Sequence, residues 1–232
     1  MNAPRFDIYR QIHKALRIAF AQTHAHVGRM DCTDPDDMHT ALSAVEDLLA
    51  ACRSHLAHEN AFVHAALEAR SPAASRRTAE EHGHHDDALL RLSQACVEVA
   101  RAEPAQRQRI ADRLYDELGE FIADNLVHMR YEETVNNTAL WTHYDDAELV
   151  AIEQALVASI PPPELLPTLA GIVAAVPPHE RVALLDGIRR SAPPPVFDSM
   201  LAAALQALGE RDREKLLRGL CIEPALHAAI AA

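Results

Sequence analysis

Residues 54–60 read SHLAHEN, and residues 127–133 read VHMRYEE. Each carries the pattern His-x-x-x-Glu, as His55–Glu59 and as His128–Glu132. On a helix this spacing puts an imidazole and a carboxylate on one face, one turn apart, where both reach the same metal ion. Two such pairs on different helices, with further histidines between them, form the ligand inventory of a carboxylate-bridged two-metal centre. Imidazole suits iron, zinc, copper and nickel, and carboxylate adds hard oxygen character. The mixed set therefore points to iron first, with zinc or manganese as the other candidates.

The residues around these pairs decide the fold. Apolar side chains recur every three or four positions over four long stretches, the signature of amphipathic helices. The first runs over residues 5–28 with the stripe Tyr9, His13, Leu16, Phe20, Thr23, Val27. The second, 36–69, follows the turn DCTDPDD and carries Val45, Leu48, Cys52, His55, Glu59, Phe62 and Ala66. The third, 73–101, carries His82, His85, Leu89, Leu92, Cys96 and Val99, and the fourth, 105–135, carries Leu114, Leu118, Phe121, Asn125, His128, Glu132 and Val135. Ser71-Pro72 and Glu103-Pro104 separate them. Short connections imply antiparallel neighbours, so the expected fold is all-α, an up-down-up-down four-helix bundle over residues 1–140.

Hairpin geometry then tests whether the candidates meet. Reversal near residue 33 sets His55 and Glu59 level with His13; His24 lies roughly 16 Å away at 1.5 Å per residue. Reversals near 71 and 104 bring His85 and His128 to the same level within the error of such boundaries. The candidate ligands are His13, His55, Glu59, His85, His128 and Glu132, with His82 as a seventh on the stripe of His85. Glu59 and Glu132 are placed to bridge two metals, leaving an open position for a small molecule. His58, His64 and His84 fall off the stripes, and His24, His26 and His39 read as surface residues. Asn125 reads as a satisfied core amide, and Tyr9 as an aromatic core residue whose hydroxyl lies one turn from His13.

The order His … His-x-x-x-Glu … His-x-x-His … His-x-x-x-Glu resembles the hemerythrin family, in its bacterial HHE cation-binding branch, over about residues 5–136. Hemerythrins proper carry His-x-x-x-His on the third helix and His-x-x-x-x-Asp on the fourth. Here His82-x-x-His85 and His128-x-x-x-Glu132 stand instead. The resemblance implies a non-haem di-iron site with an oxo or hydroxo bridge. It also implies O₂ binding or sensing, iron handling, or a response to NO and oxidants.

Bulk composition agrees. The chain has 232 residues, 49% hydrophobic, with 7 glycines and no alternating β-branched run. A net charge of −12 argues against nucleic acid or an anionic membrane as partner. Cys32, Cys52, Cys96 and Cys221 form no C-x-x-C, and Cys52 and Cys96 sit on apolar stripes as buried thiols, as in a reducing cytosol. The N-terminus has no apolar signal core, and no run approaches a membrane span, so the expected location is cytoplasmic.

Residues 145–232 differ. Short Ala/Leu-rich segments are cut by Pro161-Pro162-Pro163, Pro177-Pro178 and Pro193-Pro194-Pro195, and hold only His179 and His227. This reads as an appendage of four or five short helices for packing or for a protein partner. Trp141 and Tyr144 are expected where bundle and appendage meet. The functional reading is a di-metal protein that binds or senses O₂, NO or peroxide and carries no obvious sign of an enzyme. The rival readings are a peroxide- or NO-consuming enzyme or iron donor for cluster repair, and a structural module stabilised by metal.

Overall fold

A computed structural model describes residues 5–222, and among them every regular element is helical. His227 lies outside the described residues. Helix α1 (Arg10–Gly28) starts five residues later than the apolar stripe suggests. The Asp7 carboxylate accepts from the Tyr9 and Arg10 N–H groups at 3.2 and 3.1 Å, and so caps the helix start. Helix α2 (Pro35–His58) opens with Pro35 behind Asp34, whose Oδ1 accepts from the N–H groups of Asp36 and Asp37. It runs through a wide turn with i→i+5 bonding (Glu59–His64) into α3 (Ala65–Arg70). The connection to α4 (Arg76–Arg101) is held by Glu68. Its carboxylate accepts from Ala73 N–H at 2.7 Å and from the Ser75 N–H and hydroxyl at 3.0 and 2.7 Å. That grip fixes Ala73 at φ 67°, a left-handed conformation that alanine resists. Helix α5 (Pro104–Tyr131) passes through a second wide turn (Glu132–Asn136) into α6 (Asn137–His143).

Helices α2 and α5 each pack against both α1 and α4. The main core between them includes Leu16, Phe20, Leu49, Leu89, Leu118 and Phe121. A second apolar cluster holds Ile8, Tyr9, Val63, Leu67, Leu140 and Leu149. His13 falls between Tyr9 of the second cluster and Leu16 of the main core, and Glu59 between Leu56 of the main core and Val63 of the second cluster.

The two wide turns change which residues face inward. Each adds a residue to its turn and so slips the apolar stripe by one position. Beyond Glu59 the buried residues are Val63, His64 and Leu67, while Phe62 and Ala66 are only partly buried. Beyond Glu132 they are Asn136, Asn137 and Leu140, and Val135, expected on the stripe, is 45% exposed. His64, expected off the stripe, is buried for the same reason.

Two compact units divide between Ser159 and Ile160. Helix α7 (Asp146–Ser159), placed by composition with the appendage, groups with the first unit. Its Leu149 is fully buried in the second apolar cluster, and Arg70 grips Glu148 at 2.6 and 3.1 Å. Trp141 and Tyr144 belong to this cluster too: Trp141 Nε1 donates to Phe6 O at 2.7 Å, and the Tyr144 hydroxyl to Ala66 O at 2.8 Å.

The second unit consists of α8 (Pro162–Ala175), α9 (Pro178–Ser191), α10 (Pro194–Gln206) and α11 (Glu210–Gly219). Counting from α7, the helices begin at residues 146, 162, 178, 194 and 210, each 16 after the last. Prolines open three of them, where a missing N–H costs nothing. Leu169, Leu185, Leu201 and Leu217 occupy one position of this repeat and are all buried. Helix α10 packs on α8 and α9, and α11 on α9, so alternate helices stack as in helical repeat arrays. Among the described residues no helix is long and apolar enough to cross a membrane.

Candidate metal centre

The seven candidate residues come from four helices. His13 lies on α1, His55 on α2, His82 and His85 on α4, and His128 on α5. Glu59 and Glu132 are the first residues of the two wide turns. All are buried except His55, which retains slight exposure.

Six of them form two overlapping groups. His13, His55, Glu59 and Glu132 each offer a ligand atom within 4.8 Å of the others, and Glu59, His82, His128 and Glu132 do the same. The two glutamates belong to both, and each divides its oxygens between them. Glu59 Oε1 lies 3.6 Å from His13 Nε2 and 3.4 Å from His55 Nε2, while its Oε2 lies 3.5 Å from His82 Nε2. Glu132 Oε2 lies 3.4 Å from His13 Nε2, while its Oε1 lies 3.3 Å from His128 Nε2 and 3.8 Å from His82 Nε2. His85 is buried beside the second group but outside both. Its ring stands edge-on to His128 with centroids 4.9 Å apart.

A cation suits this donor set. His13 Nε2, His55 Nε2, His85 Nδ1 and all four oxygens of Glu59 and Glu132 are buried without a hydrogen-bond partner. Buried polar atoms are nearly always satisfied, so a convergent set of nitrogen and oxygen donors left bare is an exception that a metal ion between them removes. His82 Nε2 and His128 Nε2 face each other at 3.0 Å, a contact that two bare lone pairs would oppose.

Outer groups aim the rings. His13 Nδ1 lies 3.1 Å from Glu133 Oε1, itself held by Arg17 at 2.6 Å. His82 Nδ1 lies 2.8 Å from Asn60 Oδ1. His128 Nδ1 lies 2.8 Å from Glu81 Oε2, whose other oxygen takes Arg77 at 2.8 Å. An acceptor at Nδ1 fixes the proton there and turns the Nε2 lone pair inward, as metal-bound histidines require. Sequence reading missed Glu133, Asn60 and Glu81. Each is the chain neighbour of a candidate ligand (Glu132, Glu59 and His82) and serves a histidine on another helix.

The electrostatics are those of a site short of positive charge. Burial pulls His13 down, but Glu133, Glu59 and Glu132 more than reverse it, to about 9. Burial likewise lowers His82, and Glu132 and Glu59 lift it to about 9. For His85, burial, then His128 and His82, outweigh the upward pull of Glu81 and Glu132 and push it down to about 4. Burial and Glu59 both press Glu132 upward, yet His128 and His82 hold it below the usual carboxylate range.

The remaining histidines stand apart from both groups. His24 stacks on Tyr115 with ring centroids 4.2 Å apart. His39 and His84 are exposed, and His26 and His58 half-buried. His64 stacks on His82 at 4.7 Å without joining either group. Asn125 donates to Phe121 O at 2.8 Å, a satisfied core amide as the sequence suggests.

A family model, the Hemerythrin HHE cation binding domain, matches residues 5–140. The chain belongs to that family. No curated protein and no solved structure matches it. The hemerythrin match contains all seven candidates and both wide turns, and it ends before α7.

Proposed function

We propose that this hemerythrin-family protein holds two iron ions, one per overlapping group, and uses the pair to bind or sense a small oxidant: O₂, NO or peroxide. Glu59 and Glu132, common to both groups, would help hold both ions; His13 and His55 would complete one group and His82 and His128 the other, with His85 beside the second. The observation that carries this is the division of each glutamate's two bare oxygens between the two groups. A single-ion site has no use for that arrangement. Bound iron would supply redox chemistry and an open coordination position; the chain supplies oriented imidazoles and a buried site that excludes water. The four long helical segments are taken to run up-down-up-down. The cyclic packing of α1, α2, α4 and α5 and the short connections 29–34, 71–75 and 102–103 support this. Action in the cytoplasm fits the absence of apolar spanning helices among the described residues.

Metal analysis and an absorption spectrum of freshly purified protein test the reading. Two irons per chain with a near-ultraviolet oxo-bridge band that responds to O₂, NO or peroxide support it. A colourless protein holding zinc would instead make the metal structural, and steady consumption of peroxide would make the protein an enzyme.

A further inference from the structure

Three consecutive residues at the end of α5 turn to three different parts of the bundle. Tyr131 closes the helix, and the Arg77 guanidinium of α4 lies over its ring at 4.1 Å. Glu132 belongs to both candidate metal groups. Glu133 Oε1 accepts from Arg17 Nη1 of α1 at 2.6 Å and lies 3.1 Å from His13 Nδ1. Helices α1 and α4 both pack on α5, and successive helical side chains diverge by about 100°. Two arginines from two helices therefore grip the residues on either side of Glu132.

The grip reaches the histidines as well. Arg77 Nε donates to Glu81 Oε1 at 2.8 Å, and Glu81 Oε2 lies 2.8 Å from His128 Nδ1. Arg17 acts on His13 in the same way through Glu133. Each arginine thus holds a carboxylate that meets one candidate ligand, and the two ligands belong to different metal groups. As surface ion pairs these contacts add little to stability. The side chains of Arg77 and Arg17 are 52% and 34% exposed, and water screens such pairs. Their geometry serves direction instead: a planar guanidinium that donates to a carboxylate while stacked on a ring is fixed in orientation. Glu59 is flanked otherwise. Asn60, an uncharged amide, follows it, with Oδ1 2.8 Å from His82 Nδ1, and His58 Nδ1 lies 3.4 Å from the Ser54 hydroxyl of its own helix.

We propose that Arg17 and Arg77 are positioning residues of the two-metal centre. They form a clamp across the end of α5 that sets the direction of Glu132 and, through Glu133 and Glu81, of His13 and His128. The inference rests on the two-metal reading given above. Neither arginine is itself in a metal group, so the clamp acts on the shape of the site and not on its ligand count.

The test loads the full chain with cobalt(II) chloride, whose visible bands report coordination geometry, and measures affinity by competition with a chelator. Wild type, Arg17→Gln, Arg77→Gln, Arg17→Lys, Arg77→Lys and Tyr131→Leu are compared, with the melting temperature of each taken without metal. Both glutamine variants keep two ions, bind them about tenfold more weakly and show altered visible bands, while their metal-free melting stays at the wild-type temperature. Arg17→Lys restores affinity and bands, because one short contact to Glu133 suffices. Arg77→Lys does not, because an ammonium cannot donate to Glu81 and lie flat over Tyr131 at once. Tyr131→Leu alters the bands as Arg77→Gln does. Wild-type affinity and bands in both glutamine variants overturn the clamp alone, as does an effect confined to metal-free melting, which marks a merely structural role. Full rescue by Arg77→Lys, or an unaltered Tyr131→Leu, overturns the stacked arm. A wild type that takes up fewer than two cobalt ions overturns the two-metal reading, and the clamp with it.

Discussion

Removing metal should cost this protein a large share of its stability. The perturbation is chelation of the purified full chain. Seven buried atoms stand bare at the centre: His13 Nε2, His55 Nε2, His85 Nδ1, and the oxygens of Glu59 and Glu132. An unsatisfied buried polar group costs about 1–3 kcal/mol, so the metal-free centre carries roughly 7–20 kcal/mol of unfavourable desolvation. That is comparable to the ~5–15 kcal/mol by which a domain is stable at all. Ions that bind only the native state restore part of it: at free metal about 100 times Kd each site adds ~2.7 kcal/mol, so two sites add ~5 kcal/mol. At roughly 2–4 °C per kcal/mol for a unit of this size, the loaded protein should melt about 10–20 °C above the chelated one. Calorimetry of the two forms, with metal content measured on the same samples, reads the difference. Coincident curves from samples shown to contain two and zero ions would refute the argument, because the bare atoms would then be satisfied some other way.

Metal titration of His13→Ala should show loss of at least one ion, whereas His24→Ala, whose ring stacks on Tyr115 away from the centre, should bind as wild type. Glu81→Gln should keep two ions but weaken uptake about 10–100-fold, since it removes the carboxylate that orients His128; competition against a chelator measures this. Truncation after Ser159 should preserve metal content and a monodisperse unit. Truncation after Asp145 should lower the melting temperature or cause aggregation, because it uncovers the apolar cluster around Leu149, a side chain whose burial is worth about 1.5–3 kcal/mol. Cys52 and Cys96, pushed up to about 12 by burial, hold almost no thiolate at about pH 8. They should resist iodoacetamide in the folded protein while exposed Cys221 reacts, as peptide mapping of the alkylated chain would show.

Periodicity carried much of this molecule into view. The residues that repeat every three or four positions are the ones buried along α1, α4 and α5, and the level argument that preferred His13 to His24 rested only on rise per residue. What stayed hidden has physical causes. A wide turn leaves no composition mark, so the slip that buries His64 and exposes Val135 could not be read from a fixed helical period. Orientation of imidazoles by Glu133, Asn60 and Glu81 is an interhelical matter, though the adjacency of each to a candidate ligand was a usable sign. The late start of α1 depends on Asp7 folding back as a cap. The 16-residue spacing of the C-terminal helices was present in the proline runs, but those runs read first as breaks, and the period runs from α7 across the division between Ser159 and Ile160 into the second unit.

Both wide turns open on the residue that serves both metal groups, and this coincidence has a mechanical sense. In a regular α-helix, successive inward positions lie three or four residues apart, and the residue next to an inward one points about 100° away. At this centre one short segment must do three things. Glu59 and Glu132 must aim both oxygens at the middle; Asn60 and Glu133 must turn to a histidine on another helix; and the next turn must present partners to the groups above. An inserted residue meets the last demand by bringing two consecutive side chains inward: Val63 with His64, and Asn136 with Asn137. The cost is weaker local bonding in two helices, tolerated because α7 and the second apolar cluster cover that end of the unit. The same departure from helical regularity that follows Glu59 and Glu132, the residues shared by the two groups, therefore also brings His64 and Asn136 inward. An alteration that restored regular winding at either turn would disturb both together.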